Sequence, residues 1–136
     1  MIVFALFLLA GCSDTVTKHY STRNEAEADR LFDRGWLPII IPMSSKQIRT
    51  SNDLDINTSR GEFHYDVNES SVFMANLTQY SGRKAPFKRW IDYITEQKKE
   101  GYTAFEYSDK QSVWVFFVNP QKGHVRYAMW LLREPS

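Results

Sequence analysis

The sequence predicts an α+β fold: a four- or five-stranded, mostly antiparallel sheet with two main helices on one face. Three observations carry this expectation. Two segments space their apolar residues at i, i+3, i+4 and follow helix-opening signals. Three strand-like runs crowd the last third of the chain. The middle one, Val113 to Val118 (VWVFFV), is apolar at every position and so belongs inside the sheet.

In chain order, Asp14 to Ser21 (DTVTKHYS) is polar and aperiodic and reads as a tether. Thr22-Arg23-Asn24-Glu25 is a capping box, and Ala28, Leu31 and Phe32 form an apolar stripe. With Gly35 as a stop, this predicts a helix over 23–34. Trp36 to Ile41 (WLPIII) is strand-like but contains Pro38, so it reads as an edge strand or an irregular stretch. Ser44-Ser45-Lys46-Gln47 repeats the capping pattern and predicts a helical turn to about Arg49. The Ser, Asn, Asp and Thr of 50–60 predict a loop. Gly61 to Val67 alternates, with Phe63, Tyr65 and Val67 on one side and Glu62, His64 and Asp66 on the other, as a half-buried strand does. Residues 68–80 read equally as helical turn or strand. Pro86 opens a second helix with Phe87, Trp90, Ile91 and Ile94 on one face, closed by Gly101. Strands follow at 103–107, 113–118 and 125–132, the last two joined by the turn Asn119-Pro120-Gln121-Lys122-Gly123.

A chain of 136 residues suits one domain. With 43% hydrophobic and 15% aromatic residues it can build a core without crosslinks, which its single cysteine requires. Seventeen basic against 16 acidic residues lack the basic footprint of a nucleic-acid binder and of a polybasic membrane contact.

That cysteine directly follows an uncharged run, Ile2 to Ala10 (IVFALFLLA). The run is shorter than the ~20 residues that cross a bilayer, and it has the length of a secretory signal's apolar region. No Lys or Arg precedes it. Leu9-Ala10-Gly11-Cys12 resembles the bacterial lipobox. The resemblance implies a diacylglycerol on the Cys12 thiol, cleavage between Gly11 and Cys12, and acylation of the new amino group. Several acyl chains on one residue make a lasting anchor. The expected organisation is a signal over 1–11, a lipidated Cys12 with its tether over 12–22, and one α+β domain over 23–136. Ser13 after the cysteine is similar to an outer-membrane sorting signal, which implies a protein facing the periplasm.

Among residues that could carry chemistry, Asp53-x-Asp55-x-Asn57 resembles the first half of a calcium loop. Thr58 stands where the loop's glycine belongs and His64 where its closing glutamate belongs, so this is no EF-hand. The other reading is a turn in which Asp and Asn bond their own backbone. His19, His64 and His124 lack the spaced partners of a zinc site and read as surface residues. No Gly-x-Ser-x-Gly context and no phosphate loop is present. Arg83, Lys84, Lys88 and Arg89 oppose the dipole at the start of the second helix and form a candidate partner surface. No cofactor is expected.

Residues 26–65 also resemble a segment of uncharacterised small bacterial lipoproteins. The likeness rests on Gly35-Trp36-Leu37-Pro38, Pro42-Met43-Ser44, Asp55-Ile56-Asn57 and Phe63-His64-Tyr65. It implies a shared fold element near a lipid anchor and no activity. The expectation is a lipid-anchored envelope protein that binds or supports another envelope component and is not an enzyme. The alternatives are a small hydrolase or inhibitor using Asp53, Asp55 and His64, or a calcium-dependent module.

Overall fold

The computed structural model describes residues 15–82 and 88–132. The signal, Gly11, Cys12, Arg83 and Lys84 therefore lie outside the described residues. Seven strands form one antiparallel sheet: β1 (Thr15–Thr22), β2 (Lys46–Asp53), β3 (Thr58–His64), β4 (Thr78–Gln79), β5 (Thr103–Ser108), β6 (Ser112–Asn119) and β7 (His124–Leu131). Their order across the sheet is β1-β2-β3-β7-β6-β5-β4. The helices are α1 (Arg23–Ala28), α2 (Ser70–Ala75) and α3 (Lys88–Lys99). The fold is thus mostly β, and the expected α+β architecture with a four- or five-stranded sheet is corrected.

The placement of the helices is corrected too. In β6, Trp114, Phe116 and Val118 pack with Ala26 of α1 and Phe73 of α2. Val113, Val115 and Phe117 pack with Trp90 and Ile94 of α3. Alternate residues of a strand point to opposite faces, so α3 lies on one face and α1 with α2 on the other. This explains why β6 is buried at every position from Ser112 to Val118.

The expected tether is the edge strand β1. Thr15, Val16, Thr17, Tyr20 and Thr22 suit a pleated chain, and the strand pairs with β2 from Thr15↔Asp53 to Thr22↔Lys46. Only Tyr20 is buried in it, which left no apolar alternation to read. The capping box behaves as predicted: Thr22 Oγ1 accepts from the Glu25 amide (3.2 Å) and Glu25 from the Ser21 amide (2.8 Å). The helix stops six residues on instead of running to Arg34. Arg30 adopts φ 61°, and the Leu31 and Arg30 amides close back on the Ala26 and Glu27 carbonyls. That is the helix-ending pattern usually made with glycine. Asp29 binds Lys18 (2.9 Å) and Tyr20 (2.5 Å) of β1 and holds this end against the sheet.

Residues 36–41 form turns, the irregular stretch of the two readings and not the edge strand, with Leu37 and Ile41 buried beneath the sheet. The Trp36 carbonyl accepts from Trp114 Nε1 at 3.0 Å. The second capping pattern opens β2, not a helix. Ser45 Oγ donates to the Pro42 carbonyl (2.6 Å), and Ser44 Oγ accepts from the Asp66 amide (2.9 Å). The predicted loop over 50–60 is a hairpin whose turn occupies only Leu54–Asn57. In β3, Phe63 is buried as expected, as is Tyr65 just beyond the strand, whereas Val67 is exposed. Residues 68–80 hold α2 and the short β4.

Candidate functional site: a groove between α3 and the β1–β3 half of the sheet

α3 closes at Gly101 (φ 92°), where the Tyr102 amide reaches back to the Gln97 carbonyl. From there the helix lies over β5, β6 and β7, with Trp90 and Ile94 on Ala104, Val113, Val115, Phe117, Ala128 and Trp130. It does not cover the same face of β1, β2 and β3. Two adjoining hollows of about 360 and 260 Å³ open there and share Ser51, Arg60 and Tyr93. The floor follows from the register: Arg49↔Glu62, Ser51↔Arg60 and Asp53↔Thr58 face the same way. Arg89, Trp90 and Tyr93 form the wall. Tyr93 is fixed by edge contacts with Phe117 (5.6 Å) and Trp90 (6.1 Å). Burial raises its hydroxyl pKa, while Arg126 and Arg60 pull it down.

The groove's carboxylates are committed. Glu62 accepts from His124 Nε2 at 3.0 Å. Asp53 accepts from the Asp55 and Ile56 amides at 3.0 and 3.4 Å. Arg126 is held by Glu100 and by Gln97 (2.6 Å). Arg49 and Arg60 are thereby left without a carboxylate partner among the described residues.

At the far end of β3 the structure builds a cluster that distance in sequence concealed. His64 and His124 are register partners with stacked rings 4.5 Å apart. His124 is 8% exposed, not a surface residue. Its Nδ1 lies 2.7 Å from the Tyr102 hydroxyl, and Arg126 sits 4.8 Å over the Tyr102 ring. A carboxylate only accepts, so Nε2 carries the proton toward Glu62 and Nδ1 accepts from Tyr102. The neutral imidazole is fully satisfied and clamps β3 and β7 to the turn after α3. Burial pushes the His124 pKa below the ordinary histidine value, the Glu62 hydrogen bond pulls it up, and neighbouring His64 pushes it down. Because the folded value is depressed, the unfolded chain binds more protons. Stability is therefore full above about pH 6.5, histidine's unfolded pKa, and falls as pH drops through that value toward the folded one. Thermal melts between pH 7.5 and 5 should show this loss, and His124→Gln should flatten it.

The predicted site residues scatter. Asp53 ends β2 and Asp55 sits in the hairpin turn, whose amides Asp53 accepts from, the turn reading of this motif. His64 lies six residues along β3 from Thr58, about 20 Å away at strand spacing. Asp53, Asp55 and His64 therefore do not form one centre. Among the described residues no group of three or more His, Cys, Asp or Glu is placed to hold a metal. Lys88 is exposed at the start of α3, and Arg89 lines the groove. Arg49 and Arg60 were missed because the first closed a predicted helical turn and the second a predicted loop. The spacings Arg49-x-Ser51-x-Asp53 and Thr58-x-Arg60-x-Glu62 were the available signal.

Residues 14–64 match the YbbD head domain. The matched stretch is β1, α1, β2 and β3: the groove floor and the helix behind it. It ends at His64, so the α3 wall lies outside it. No curated protein and no solved structure matches the chain.

Proposed function

We propose that this is a lipid-anchored protein of the bacterial envelope, facing the periplasm from the outer membrane. It acts as a binding module rather than an enzyme, and the groove beside α3 is its binding face. The observation that carries the reading is the pair Arg49 and Arg60, aligned on the groove floor with every neighbouring carboxylate engaged elsewhere. The head-domain similarity supports a module built on β1–β3. The anchor rests on Leu9-Ala10-Gly11-Cys12.

Each half has its own test. Intact mass of the membrane-extracted protein should show a chain beginning at acylated Cys12, and Cys12→Ser should move it to the soluble fraction. An unmodified Met1 terminus would overturn the anchor. For the groove, Ser51→Trp should abolish mild crosslinking to an envelope component, whereas Lys122→Trp, in the exposed turn after β6, should not. Equal crosslinking by both variants would remove the groove as the binding face.

A further inference from the structure

We infer that Arg49 and Arg60 form a phosphate-binding pair, and that the groove takes a ligand carrying a phosphate monoester. The inference rests on the groove being the binding face.

The two arginines are diagonal neighbours across β2 and β3, because Arg49 pairs with Glu62 and Ser51 with Arg60. Diagonal positions stand about 7–8 Å apart, within which two long guanidinium arms can reach one group held between them. Like charges so placed repel each other unless an anion joins them. The carboxylates that would do so within the fold are bound to His124, to Arg126 and to the hairpin amides.

Neutral donors complete the surroundings. Thr17 and Ser51 line the groove beside the arginines, with their hydroxyls 3.5 Å apart. Tyr93 also borders this hollow, and it has no hydrogen bond among the described residues. Trp90 borders the adjoining hollow at 6% exposure, and its Nε1 has no hydrogen-bond partner among the described residues.

The charge count selects the ligand. Arg49, Arg60, Arg89 and Arg126 line the two hollows against Asp53 and Glu62, an excess of two positive charges, and a phosphate monoester, close to a dianion at neutral pH, matches it. A monocarboxylate leaves one uncompensated. Guanidinium forks suit phosphate oxygens in a way that a lysine point charge does not. The Trp90 and Tyr93 rings give the rest of the ligand an apolar wall.

The monoester can arrive as a soluble metabolite or as a lipid headgroup, and calorimetric titration of the detergent-extracted full chain separates them. The probes are glycerol 3-phosphate, dihexanoyl phosphatidic acid, dihexanoyl phosphatidylcholine and succinate. Saturable binding of glycerol 3-phosphate supports a soluble source, and binding of phosphatidic acid alone supports a lipid source. In either case Arg49→Gln and Arg60→Gln should each weaken binding about tenfold, as expected on losing one charge-assisted contact. Arg60→Lys should fall between wild type and Arg60→Gln. All variants should melt like the parent, since neither arginine is hydrogen-bonded to or ion-paired with another side chain among the described residues. No saturation by either phosphate overturns the inference, as does succinate or phosphatidylcholine binding equally well, or unchanged affinity in the glutamine variants. Should phosphate fail while Ser51→Trp still abolishes crosslinking, the ligand class is wrong and the groove stands.

Discussion

Trp114→Ala is expected to lower folding stability by about 3–5 kcal/mol, the usual range for removing a large buried aromatic. Trp114 is 1% exposed and packs against Tyr107 with ring centres 5.9 Å apart. Its Nε1–H donates to the Trp36 carbonyl, the contact by which residues 36–41 are fastened under the sheet. The alanine variant opens a cavity and also strands that carbonyl, which adds about 1–3 kcal/mol if it stays buried. Domains of this kind have about 5–15 kcal/mol in total, so the variant should unfold at much lower urea than wild type. Trp114→Phe separates the two contributions: it keeps most of the packing, loses the hydrogen bond, and should fall between. A denaturation midpoint for Trp114→Ala within experimental error of wild type would refute the assignment of this residue to the centre of the core.

Gly61→Ala is expected to be nearly as damaging, at about 3 kcal/mol, although it adds only a methyl group. A Cβ there would lie 2.0 Å from the Arg49 carbonyl oxygen and 2.7 Å from the Tyr127 hydroxyl. Neither obstacle swings away. The first is backbone, at the point where the β2–β3 register shifts between Lys46 and Arg49. The second belongs to a fully buried ring. β2 must therefore draw back from β3, and Arg49 moves with it. Gly61→Ala should also weaken ligand binding in the groove even though residue 61 has no polar side chain to offer. Urea midpoints and the phosphate titration on one preparation read both effects.

These two positions also show what the sequence makes legible. The half of the sheet built from β5, β6 and β7 reads directly, because VWVFFV is buried on both faces and Asn119–Gly123 is a recognisable turn. α3 reads for the same reason, with Trp90 and Ile94 at helical spacing and Gly101 as its stop. The other half hides. In β2 the inward positions after Ile48 are Thr50 and Asn52, both buried. Asn52 is satisfied by Ser59 Oγ at 2.5 Å. A strand that buries polar side chains carries no hydrophobic alternation, so β2 reads as a helical turn and a loop, and β1, its partner, reads as tether. The groove lay in that blind half. Arg49 looked like the end of a helical turn and Arg60 like a loop charge, and the His64–His124 stack needed a pairing between strands far apart in the chain. The helices fell on opposite faces because β6 required cover on both, which its own composition already implied.

The start of β1 carries one consequence for how such a protein would work. Thr15 enters the sheet beside the Leu54–Asn57 turn, whose Leu54 and Ile56 are 48% and 38% exposed. Only Ser13 and Asp14 separate it from Cys12, three residue steps and a leash of at most about 11 Å. The strands it tethers run about 27 Å. With the proposed lipid on Cys12, the domain is leashed more closely than its own length and cannot sweep the periplasm. Its encounters become a two-dimensional problem, confined to molecules that share its leaflet or come down to it, with the Arg89 end of the groove held nearest the bilayer.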